Sequence, residues 1–159
     1  MKYYCCDQRR LEVVKLHGSL NGLEYLEVQD SGIPGDDKRQ RTLIVKFLRP
    51  VPSSLDKKNC LITGGERIKT VEIEWIAVAN ALPAGESTDL VGGLIPLNEF
   101  LVIRTKYFGD FSQYTFSLVS NPVFINNLNP VDGSGEAIIL FSSSVMRSLE
   151  TILILFRSL

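Results

Sequence analysis

His17 is the only histidine in the 159 residues, and the residues able to do chemistry with it are few. Metal ligation by His17 would need partners, yet there is no second His and no CxxC pair, and the ring stands at the end of a helical pattern beside Gly18. At that place an imidazole is expected to satisfy the last helix carbonyls. Nucleophilic catalysis needs a Ser or Cys framed for attack beside a base, and no GxSxG elbow occurs. Cys5, Cys6 and Cys60 have neither metal spacing nor an even disulfide count, and read as small hydrophobes in a reducing compartment. The stretch TGGERIKT carries two glycines and Lys69 without the GxxxxGK[ST] spacing that cradles phosphate, so a turn at Gly64-Gly65 is the expectation. Glu72 and Glu74 share one face of a strand and could hold a cation; cross-strand Lys or Arg partners are the commoner arrangement. No catalytic, cofactor-binding or metal-binding residue is assigned, and the chain is read as a non-enzyme.

The elements that would position these residues are mostly strands. Leu11, Val14 and Leu16 fall near helical spacing over residues 7–17, with Asp7 as N-cap and Gly18 as terminator. Beyond Gly22 the apolar period changes from helical to two. A strand begins near Tyr25, Leu26 and Val28; TLIVKFL follows from Thr42 to Leu48 and is stopped by Pro50 and Pro52. NCLITGGERIKTVEIEW predicts a hairpin whose second strand puts Val71, Ile73 and Trp75 on one face. EFLVIRTK and QYTFSLV supply two more strands, the latter alternating Tyr114, Phe116 and Leu118 with Thr115 and Ser117. The loops between are QDSGIPGDDKRQR, in which Lys38, Arg39 and Arg41 are balanced by Asp36 and Asp37, and the Gly- and Pro-rich run from Asn80 to Gly93.

Six or seven short strands with one helix and no βαβ alternation argue for a mainly β fold: an antiparallel sandwich of immunoglobulin or fibronectin type. The entry GDFSQYT strengthens this, since a Tyr opening a late strand after Asp and Ser is where such folds place a tyrosine corner. Phe47, Trp75, Tyr114, Phe116 and Leu118 are the expected core.

Charge and length limit the remaining readings. Seventeen basic against eighteen acidic residues leave a net charge of -1, which offers no field to draw nucleic acid. The first ten residues, MKYYCCDQRR, lack the apolar core of a signal peptide, so a cytoplasmic site is expected. The division expected is a helix and lead-in at 1–22, a β domain at 23–121, and a connector with an apolar tail at 122–159. In that tail Arg147 and Glu150 interrupt the apolar run, leaving segments short of the ~20 residues a membrane span needs. The consecutive apolar residues at 138–141 and 152–156 mark no helical face and show no strand period.

Four segments in order, YYCCDQRRLEVVKLHGSLNGLEYLEVQD, RQRTLIVKFLRPV, NCLITGGERIKTVEIEW and GDFSQYTFSLV, resemble the N-terminal region of the baseplate assembly proteins of phage-tail-like contractile injection systems. The resemblance spans about residues 3–121. It implies a structural wedge component that surrounds a central hub and contacts other baseplate subunits, without cofactor, nucleic acid or small-molecule substrate. In that family an FSFK-like segment and a long assembly region follow, whereas this sequence departs after Asn121. An out-of-frame tail on a truncated baseplate subunit is the expectation from that departure, with a native C-terminal helix docking on the sandwich as the competing reading. The alternative class is a free-standing sandwich that binds a glycan or adhesion partner through its loops.

Overall fold

A computed structural model describes residues 2–4, 8–29, 40–110, 112–119 and 151–155. Cys5, Cys6, Asp7 and the cluster Asp36 to Arg39 lie outside the described residues, as do residues 120–150. Among the described residues eight strands and one α-helix run in the order β1 (Lys2–Tyr4), α1 (Gln8–Leu16), β2 (Leu23–Val28), β3 (Thr42–Phe47), β4 (Cys60–Gly64), β5 (Ile73–Val78), β6 (Phe100–Thr105), β7 (Gln113–Leu118) and β8 (Thr151–Leu155). They form two open antiparallel sheets, β1-β2-β3-β6-β5 and β4-β7-β8. The fold is thus mainly β with one short helix, as the strand-rich pattern implied.

Residues from both sheets meet in one core. Leu26, Leu43, Val45, Phe47, Leu101 and Ile103 come from the larger sheet; Ile62, Tyr114, Phe116 and Leu118 come from the smaller. Burial of each large side chain contributes roughly 1.5–3 kcal/mol. The central strands β3 and β6 are covered on their other side too, which is why TLIVKF and FLVIRT read as continuous apolar runs rather than as alternation. Ile44, Phe100 and Val102 pack there beneath Leu82, Leu90, Val91 and Leu94 of the long loop after β5. A free-standing binding sandwich would use that loop as a contact surface; part of it is instead a lid over the outer face of the sheet.

Three further expectations are corrected. The glycine turn forms, with Thr63 bridging Thr70, Gly64 N donating to Lys69 O at 3.0 Å and Val71 N donating to Ile62 O at 3.0 Å, but the strands beyond it do not pair as one hairpin: β4 lies in the smaller sheet and β5 in the larger. The chain crosses between sheets there. Trp75 does not share a face with Val71 and Ile73, because the register of β5 on β6 shifts between Ile73 and Trp75. One extra residue reverses the side-chain phase, so Val71 and Ile73 enter the shared core while Trp75 joins the outer cluster. Finally, Thr151–Leu155 is a strand paired with β7, despite its lack of alternation. A short unbroken apolar run can form a strand without alternation, and β8 also approaches β1 and β2.

The helix matches its expected span, but its C-terminus is satisfied differently. The Arg49 guanidinium donates from Nη2 to His17 O at 3.1 Å and Lys15 O at 3.4 Å, and from Nε to Leu20 O at 2.8 Å. A cation therefore does the work expected of the His17 ring. Asn21 fixes the same junction, its Oδ1 accepting from Arg49 N at 3.0 Å and its Nδ2 donating to Pro50 O at 2.9 Å.

Candidate functional site

Tyr114 opens β7 with its side chain fully buried, which would strand a hydroxyl in the core unless a partner were supplied. Asp110 supplies it twice. Its backbone N–H donates to Tyr114 Oη at 2.9 Å, and Oη donates to Asp110 Oδ1 at 2.9 Å. This is the tyrosine corner anticipated from GDFSQYT, joining the start of β7 to the loop that leaves β6.

The same carboxylate anchors the crossing segment after β4. Asp110 Oδ2 accepts from Arg67 N at 2.7 Å and Ile68 N at 3.1 Å, and Oδ1 also accepts from Ser112 N at 3.2 Å. Ser112 returns a bond, its Oγ accepting from Glu66 N at 2.9 Å. So many donors, Ser112 foremost and then the Arg67 and Ile68 amides, hold the Asp110 carboxyl well below the usual carboxylate range, against the opposing effect of burial. Tyr114 is shifted upward, chiefly by burial. Gly65 completes the arrangement at φ +72°: a Cβ there would lie 2.3 Å from Ile68 O and 2.6 Å from Tyr114 Oη. The TGG sequence is glycine-rich because backbone must pass against the tyrosine hydroxyl, which is a structural reason and not a phosphate-binding one.

On this braced corner sit large apolar side chains that face outward. Tyr107 is 64% exposed, Phe108 62% and Ile68 39%, all on the two segments that Asp110 ties together. Aromatic groups held on a rigid support are what protein interfaces use as anchors, and this end of the molecule is the candidate interaction surface.

The residues singled out for chemistry are not brought together. His17 is exposed, with Nδ1 3.3 Å from Ser19 Oγ. Cys60 is buried in the core, and burial pushes its thiol up to about 12, leaving it inert at neutral pH. Glu72 pairs with Lys106 at 3.2 Å and Glu74 with Arg41 at 3.1 Å, the cross-strand cations weighed against metal ligation. Among the described residues no group of three or more His, Cys, Asp or Glu could hold a metal ion. No described helix is long and apolar enough to cross a membrane.

A buried ion pair escaped the sequence reading. Arg104, 2% exposed, donates from Nη2 to Glu86 Oε2 at 2.8 Å and lies 5.5 Å from the Trp75 ring centroid. It pins the lid loop to the outer face of the larger sheet. Alternation along FLVIRT does place residue 104 with 100 and 102, but nothing local identifies Glu86 as its partner.

The described residues thus form a corner, a braced crossing and a pinned lid in a mainly β module. Residues 1–134 match the family model described as phage baseplate assembly protein, N-terminal domain, and the chain belongs to that family. The match runs past Asn121, where the resemblance read from the sequence ends, and stops before β8. No curated protein and no solved structure matches the chain.

Proposed function

We propose that this protein is a structural wedge subunit of the baseplate in a contractile, phage-tail-like injection particle, and that it acts by binding other baseplate subunits and not by catalysis. The family match over residues 1–134 is the observation that carries the reading. The exposed Tyr107, Phe108 and Ile68 on the braced corner supply the contact surface it needs.

The module itself is proposed to be an immunoglobulin-type sandwich with one added strand. Leaving out β1, the order β2-β3-β6-β5 over β4-β7-β8 corresponds to ABED over CFG, and Tyr114 stands at the start of the strand equivalent to F. Such a scaffold presents loops and corners rigidly while hosting unrelated functions, so the binding role rests on the family and the surface and not on the fold.

Deletion of the gene in the producing cell tests the reading. Electron micrographs are expected to show tubes and sheaths without completed baseplates, restored by the wild-type chain and restored poorly by Tyr107→Ser/Phe108→Ser. Intact, contractile particles from the deletion strain would overturn it.

A further inference from the structure

The outer edge of β7 is a strand-binding edge whose occupant comes from outside the family domain. Among the described residues of 1–134 the smaller sheet has β4 and β7, and the strand on the far side of β7 comes from beyond residue 134. Such edges present a row of backbone donors and acceptors ready to pair. In this chain the edge is filled by β8, antiparallel, in five register pairs from Gln113 with Leu155 to Ser117 with Thr151. The register sets Ile154 opposite Tyr114 and Ile152 opposite Phe116, the two aromatic positions of β7 whose side chains are fully buried in the core.

How β8 arrives there matters. Antiparallel neighbours are ordinarily joined by loops of about 2–5 residues. Here residues 119–150 intervene, and a connection of that length can span on the order of 100 Å if extended. Covalent geometry therefore does not force β8 onto its own β7. The strand TILIL carries no charge and no proline, so nothing in it opposes pairing with a second chain.

We propose that the β7 edge accepts β8 from a second copy of this chain, giving a strand-swapped dimer whose population rises with concentration. Both chains then keep every backbone pair of the closed monomer, and only the connectivity changes. A tethered strand competes at an effective concentration of millimolar order, so exchange is minor in dilute solution and grows where copies are crowded together.

The test uses full-length chains carrying Cys5→Ser and Cys6→Ser, with buried Cys60 retained. One preparation carries Thr115→Cys, another Leu153→Cys, and a third carries both. The first two are mixed, unfolded and refolded together at ~10 μM and at ~1 mM, then oxidised or bridged with a short bis-maleimide. The expected result is an intrachain link in the double variant at ~10 μM and a mixed-chain link whose yield rises at least ~10-fold at ~1 mM. A double variant that closes at both concentrations, with no mixed-chain product at either, would show β8 docking only in cis and overturn the proposal. Absence of any link, in cis or in trans, with Gln113→Cys and Leu155→Cys giving the same result, would remove β8 from the edge and overturn it too. Either failure leaves the baseplate reading untouched, because that reading rests on residues 1–134 and on particle assembly.

Discussion

Tyr114 and Asp110 are bonded to each other through two separate hydrogen bonds, one from backbone to hydroxyl and one from hydroxyl to carboxylate, both at 2.9 Å. Because Asp110 also receives the Arg67 and Ile68 amides, a single carboxylate couples the entry of β7 to the chain that crosses between the sheets.

Removing the hydroxyl leaves the Asp110 amide and one carboxylate position short of a partner. Tyr114→Phe is expected to cost about 1–3 kcal/mol in urea unfolding, with an unchanged m-value. An unaltered midpoint would mean that the corner does not brace the fold.

Gly65→Ala attacks the same corner sterically. The added methyl would meet Ile68 O and Tyr114 Oη inside contact distance at a positive φ, and a loss of at least about 1–3 kcal/mol is expected. Gly18→Ala, where a Cβ meets nothing within 4 Å, is the control and should change stability little.

The acid limb of stability should report Asp110. Its carboxyl is held below the range it has in the unfolded chain, so its contribution is complete above about pH 4 and is lost as pH falls from there toward the lowered folded value. In thermal melts between pH 2 and 6, Asp110→Asn is expected to lower Tm at pH 6 and to flatten the slope below pH 4. Parallel curves for variant and wild type would contradict the assignment.

The pinned lid gives a test of a different kind. Glu86→Ala leaves Arg104 buried without its carboxylate, and loss of one member of a buried pair typically costs about 3–5 kcal/mol. Arg104→Met with Glu86→Leu removes both charges and should recover most of that loss, since a buried pair contributes little net stability over apolar replacements. Equal destabilisation of the single and double variants, measured by urea titration, would count against a pair whose main effect is mutual neutralisation.

Strand content, the helix and the tyrosine corner were legible because each has a local signature: β-branched runs between turn residues, apolar spacing from Leu11 to Leu16, and Asp and Ser before Tyr114. What stayed hidden depends on partners distant in sequence. The bulge that sends Trp75 to the outer face is set by pairing with β6, and Arg49 caps a helix more than thirty residues earlier. Lys2–Tyr4 and Thr151–Leu155 became strands by adding to sheet edges, β1 on β2 and β8 on β7, so their own sequences carried little of the signal. Asp110 is the instructive intermediate. An Asp two residues before a Ser marks a local turn, yet its role as anchor for Arg67 and Ile68 appears only once the sheets are assembled.

Quantitative mass spectrometry of purified particles tests the central claim most directly. This chain is expected in the particle at a fixed whole-number ratio to the other baseplate subunits, lost together with them when baseplates are stripped from tails. Particles that contain the remaining baseplate subunits but none of this chain, while the free protein accumulates in the lysate, would contradict it.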